Sequence, residues 1–155
     1  PQLPSRGQLA LETLRCKTLT SVEDVVRRRV ADQPFAGFNL VAVAKGEGLC
    51  LHYDGALRRA PFGAGIHVIS SDCDLDDVRM PEKLTLDRFV GAHPGLPDEE
   101  SLHAFLASHE GERPVCKHGN GYGTVSSTIL SVGTRGHSLL YADGPPCRTP
   151  FAAIG

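Results

Sequence analysis

Two apolar runs with a short polar turn between them constrain this chain most. Phe38 to Ala44 (FNLVAVA) and Leu49 to Tyr53 (LCLHY) are apolar, aromatic and β-branched, and Lys45-Gly46-Glu47-Gly48 joins them. That pattern predicts a β-hairpin, so at least one sheet is antiparallel. Asp54-Gly55 turns the chain again, Leu57 to Pro61 reads as a short third strand, and Gly65 to Ser70 (GIHVIS) as another.

Helices precede and follow this block. Ser5 is placed as an N-cap for a pattern built on Leu9, Leu11 and Leu14. Thr20 or Ser21 is placed as the cap of a second helix, with Val22, Val25, Val26 and Val30 as its buried face and Arg27, Arg28 and Arg29 as a solvated end. Two more helices are expected, from about Glu82 to Val90 and from Asp98 or Ser101 through about His109, the latter with Leu102, Phe105 and Leu106 inward. A strand from His137 to Ala142 and a proline-rich tail close the chain. Helices, strands, helices, strands, without βαβ alternation, internal repeat or linker, imply one α+β domain over residues 1–155, its antiparallel sheets covered by helices.

With 155 residues the chain can bury a core. A net charge of −2 without a basic block argues against nucleic acid as partner. No apolar run is long enough to span a bilayer. Five cysteines, at 16, 50, 73, 116 and 147, form no CxxC pair, and the simplest reading is a reduced, cytoplasmic chain. The chain starts at Pro1 and its one methionine is Met80, so a processed or truncated piece is expected.

The richest stretch for chemistry is Pro114 to Val132 (PVCKHGNGYGTVSSTILSV). Gly119, Gly121 and Gly123 relax the backbone, and Thr124 to Val132 reads as a buried strand. Cys116, His118, Tyr122, Thr124, Ser126, Ser127 and Thr128 set polar side chains beside it. Cys116 and His118 form one metal-ligand pair, and His52, His67, Cys50 and Cys73 are strand residues that could join them. Zinc sites usually need more close pairs than this, so polar partners and buried thiols, with no metal, are the expectation. Asp72, Asp74, Asp76 and Asp77 lack the glycine and glutamate of a calcium loop and read as a solvated acidic helix start. Ser126, Ser127 and Cys116 are candidate nucleophiles, with His118 and His67 as bases, but no GxSxG elbow is present. Pro1 offers a secondary amine only if it is the natural terminus. GNGYG lacks the Lys-Ser/Thr of a phosphate loop.

Four segments in order, SRGQL (Ser5 to Leu9), GFNLVAV (Gly37 to Val43), GIHVISS (Gly65 to Ser71) and CKHGNGYGTVSSTIL, resemble the NRDE family, the transport-and-Golgi-organisation family. The resemblance spans Ser5 to about Ala142 and corresponds to the C-terminal two-thirds of the family domain. It implies a four-layer αββα sandwich similar to N-terminal-nucleophile hydrolases, here lacking its N-terminal part. The family's terminal cysteine and Asn-Arg-Asp-Glu motif are not in this sequence, so its nucleophile is expected upstream and no catalytic residue is intact. Arg6, Asn39, Ser71, Cys116, His118, Tyr122, Thr124, Ser126 and Ser127 are then expected to line or support a pocket. Ser71 stands where many members have asparagine, and Val125 where many have arginine; both changes weaken an amidase.

The function this resemblance implies is binding or trafficking of a small hydrophobic or amphipathic ligand, such as noncovalent haem or an acyl thioester. His52, His67, His118 and the cysteines are the candidate axial ligands of a haem. The alternative is an amide or thioester hydrolase whose cysteine lies upstream. A two-sheet domain missing strands should also leave a sheet edge unpaired or an apolar face uncovered.

Overall fold

The hairpin forms where the sequence places it. β1 (Phe38–Ala44) pairs antiparallel with β2 (Glu47–Tyr53), in register from Phe38 opposite Tyr53 to Ala44 opposite Glu47. Lys45 and Gly46 alone make the turn, at φ 53° and 81°, so Glu47 and Gly48 belong to the strand. Two residues at positive φ match the right-handed twist of paired strands, and glycine takes the second at no steric cost. β3 (Leu57–Phe62) pairs with the other edge of β2, giving the order β1-β2-β3. The computed structural model describes residues 3–70, 73–93, 95, 97–111, 113–134 and 136–155. Pro1, Ser71 and Asp72, named above as candidates, lie outside the described residues. The chain divides into two compact units, Pro1–Asp77 and Val78–Gly155. Helices and two antiparallel sheets together make it α+β.

In the first unit, α1 (Arg6–Thr13) is capped by Ser5, whose Oγ accepts from the Gln8 amide at 3.4 Å. α2 (Leu19–Asp32) starts two or three residues earlier than its sequence suggests. Thr18 is the cap: its Oγ1 accepts from the Ser21 amide at 3.1 Å, and Ser21 Oγ accepts from the Thr18 amide at 3.2 Å. Val22 and Val26 face Leu49, Leu51 and Tyr53 of β2, with Leu9 and Phe35 completing the core. Each such buried side chain is worth about 1.5–3 kcal/mol. Leu11 and Leu14 stay exposed, because the eight-residue α1 turns only its Leu9 face inward. Arg59 of β3 and Arg27 of α2 both meet the Glu23 carboxylate at 2.7 Å, tying helix to sheet. The Arg27 hydrogen bond is the main force lowering the Glu23 pKa.

Gly65 to Ser70 does not form the expected strand. Its backbone is used locally instead: the Val68 amide donates to Asp76 Oδ1 at 2.9 Å, and the Asp76 amide donates to the Val68 carbonyl at 2.9 Å. Only an isolated bridge, Ser70 with Cys73, is ladder-like there.

In the second unit, Pro81 opens α3 (Pro81–Ala92), where a missing amide costs nothing. α4 (Glu99–Ala107) is capped by Asp98, whose carboxylate accepts from the Ser101 amide at 2.8 Å. Phe89 of α3 and Phe105 of α4 pack with ring centroids 4.6 Å apart. The sheet runs β4-β5-β6, with β4 (Ser127–Gly133), β5 (Gly136–Ala142) and the two-residue β6 (Ala152–Ala153). The strand expected from Thr124 begins at Ser127 and is not buried along its length: Ile129 is inside, while Leu130 and Val132 are 61% and 78% exposed. Thr124 is drawn out of the ladder by hydrogen bonds to Lys117. Among the described strands, β4 is paired on one side only, by β5.

Candidate metal centre

A short folded loop follows α4. Ser108, its C-cap, accepts the Cys116 amide on its carbonyl at 2.9 Å and the Glu110 amide on its Oγ at 3.1 Å. The chain then doubles back on itself. The Lys117 amide donates to Thr124 Oγ1 at 3.0 Å, the Lys117 carbonyl accepts from the Thr124 amide at 2.9 Å, and His118 bridges to Gly123. A Cβ on Gly123 would sit 2.9 Å from the Lys117 carbonyl oxygen, so only glycine permits this closure. The loop presents Cys116 and His118 on the same side. Cys147 arrives from the turn after β5, where the Arg148 and Thr149 amides donate to the Pro145 carbonyl at 2.9 and 3.0 Å.

These residues meet at one point with His109. Cys116 Sγ lies 3.5 Å from Cys147 Sγ and 3.7 Å from His118 Nε2. His118 Nε2 lies 3.1 Å from Cys147 Sγ and 3.2 Å from His109 Nε2. All four donor atoms fall within 4.8 Å of one another. Zinc bonds of about 2.3 Å to sulfur and 2.05 Å to nitrogen, set tetrahedrally, separate ligands by about 3.8 Å (S–S), 3.3 Å (N–N) and 3.6 Å (S–N). The four separations above lie within about 0.5 Å of those edges. Two sulfurs and two imidazoles around one point are a zinc-type donor set.

Cys116 is completely buried, the histidines are exposed, and Cys147 is intermediate. Burial pushes the Cys116 thiol pKa up, with a further rise from the Cys147 hydrogen bond. An activated thiol nucleophile is shifted in the other direction. A divalent cation between the ligands reverses the balance by stabilising thiolate.

The other expected ligands belong to the first unit and make separate networks. His52, 8% exposed on β2, contacts Asn39 Oδ1 through Nδ1 at 2.6 Å. Asn39 Nδ2 donates to the Ser70 carbonyl at 2.6 Å. Cys50 is buried, and burial raises its pKa. Cys73 bridges to Ser70. His67 Nδ1 meets Asp76 Oδ2 at 2.7 Å, and this hydrogen bond raises the His67 pKa. Asp74 pairs with Arg58 at 3.2 Å, so two of the acidic-turn carboxylates are already engaged by protein groups.

Arg6 Nη1 donates to the Gly37 carbonyl at 2.9 Å. Tyr122 is 73% exposed, and Ser126 and Ser127 are intermediate. Of the pocket candidates, the structure therefore joins Cys116 to His118 and leaves Tyr122 at the surface. Sequence reading gave His109 no role and named Cys147 only among the cysteines as a haem ligand. The signal was there as His109-x6-Cys116-x-His118, with Cys147 supplied by the Gly144-Pro145-Pro146 turn. Comparison with known protein families, curated proteins and solved structures gives no match to this chain. No helix among the described residues is long and apolar enough to cross a membrane.

Proposed function

We propose that this protein is a zinc-binding protein whose Val78–Gly155 unit is held by one ion on His109, Cys116, His118 and Cys147. The carrying observation is that four of the six donor separations lie within about 0.5 Å of tetrahedral zinc edges and that all six fall within 4.8 Å. Four protein ligands leave no open position, so the ion's role is to hold structure rather than to activate water. The ion would join the end of α4, the glycine-rich loop and the turn after β5. Free thiolate ligands suit a reducing compartment, in keeping with a cytoplasmic location. Metal analysis of the dialysed full chain tests this: one zinc per chain is expected, with X-ray absorption showing two sulfurs near about 2.3 Å and two nitrogens near about 2.0 Å. A chain that stays metal-free in micromolar zinc overturns it.

A second reading concerns the first unit, that it is the pocket wall of an NRDE-type αββα protein. Two hydrogen bonds favour it. Arg6 of the SRGQL segment reaches Gly37 of GFNLVAV, and Asn39 of GFNLVAV reaches Ser70 of GIHVISS. Three of the four segments that carry the resemblance are thus joined directly. On this reading the intact protein takes haem or an acyl thioester, or hydrolyses an amide or thioester with an upstream cysteine. Titration of the intact protein with haemin and with a long-chain acyl-coenzyme A is the test. Saturable binding weakened by Asn39→Ala is expected, and no binding of either ligand sinks the idea.

A further inference from the structure

We propose that Cys116 and Cys147 are also an oxidative modification site, at which peroxide closes a disulfide and releases the metal; this rests on the zinc reading above. The two sulfurs are already 3.5 Å apart, from residues 31 positions apart in sequence. Bond formation needs about 2.05 Å, a closure of about 1.5 Å. The two thiols differ in access. Cys116 is 0% exposed, whereas Cys147 lines an open cleft of about 560 Å³ beside Pro146, Arg148 and Thr149. A small polar oxidant therefore meets Cys147 first.

The steps balance as follows. The Cys147 thiolate attacks one oxygen of hydrogen peroxide, the O–O bond breaks, and a sulfenic acid and hydroxide form. The Cys116 thiolate then attacks Cys147 Sγ, the S–S bond forms, and a second hydroxide leaves. Two protons convert both hydroxides to water. Two thiolates have lost two electrons to one peroxide, and the zinc ion stays divalent. With both sulfur ligands consumed, two exposed histidines remain, and the ion departs. The other three cysteines, Cys16, Cys50 and Cys73, belong to the first unit. Each pairing among the five leaves a distinct peptide, so the linkage is readable.

The experiment titrates the zinc-loaded full chain with hydrogen peroxide, reading free zinc with a chromophoric chelator and thiol linkage by non-reducing peptide mapping. One zinc released per Cys116–Cys147 disulfide is expected, with rebinding after a dithiol reductant. Cys116→Ser should leave Cys147 as a sulfenic acid that dimedone traps. Release of zinc with Cys116 still a free thiol overturns the proposal. So does retention of zinc and both thiols at peroxide doses that oxidise glutathione in the same tube. A chain holding no zinc before peroxide is added overturns the metal reading itself, and is recognised at that stage.

Discussion

Removing the ion should unfold the second unit at a much lower temperature. The proposed ligands come from three separate segments, so a unit that holds the ion cannot open without losing it. Binding to the folded form alone stabilises by RT ln(1 + [Zn]/Kd), about 4 kcal/mol when free zinc is a thousand times Kd. The unit spans 78 residues, Val78 to Gly155. At about 2.1 cal/mol/K per residue, its unfolding entropy is about 0.16 kcal/mol/K, so Tm should fall by about 25 °C on chelation. Scanning calorimetry of the full chain, zinc-loaded and chelated, reads this directly. The transition that shifts should be the one in which amide exchange shows β5 opening. Cys116→Ala should start at the low Tm and gain nothing from zinc. A shift below about 3 °C in a chain shown to carry one zinc would refute the reasoning, because the ion would then be binding the unfolded chain as well as the folded one.

Three further outcomes are expected. Asn39→Ala breaks the bonds to Ser70 and His52 and leaves His52 without its 2.6 Å partner, which should cost about 2–3 kcal/mol in urea denaturation; a loss under about 0.5 kcal/mol would contradict it. The hydrogen bond that His67 Nδ1 donates to Asp76 raises the His67 pKa, so its contribution is complete below the unfolded value of about 6.5 and fades as pH rises through the folded value. An NMR titration placing the His67 midpoint at or below 6.5 would refute this, and His67→Gln should flatten that part of the stability–pH curve. Gly123→Ala drives a Cβ against the Lys117 carbonyl at 2.9 Å, costing about 1–3 kcal/mol and weakening zinc about tenfold in chelator competition; unchanged affinity would show the loop can open without moving His118.

Local rules made the hairpin legible. β1 was readable to the residue, because alternation and a glycine turn act over neighbours alone. The caps of α1 and α4 were equally local. Thr18 was passed over because its partner, Ser21, looked like a cap itself. GIHVIS has strand composition, but Asp76 satisfies Val68 from eight residues away, and no propensity reports that. Thr124 was drawn out of its strand for the same kind of reason, by Lys117. The proposed metal centre was half legible. Cys116 and His118 are neighbours, whereas Cys147 reaches them only through the β4–β5 hairpin, a tertiary fact that spacing does not encode. β4 is an edge strand of its sheet among the described strands, and its Leu130 and Val132 stand exposed.

That same hairpin sorts the chain into places where length matters and places where it does not. Its register pairs Ser127 with Ala142 at the base and Gly133 with Gly136 at the tip. Residues added at the tip leave the base pair where it is, and with it the start of the Cys147 turn. Residues added between Ala142 and Cys147 change how far the sulfur reaches. The tip is therefore the natural point to graft a tag or reporter, whereas the length of the arm from Asp143 to Cys147 sets whether the Cys147 sulfur meets Cys116 and His118.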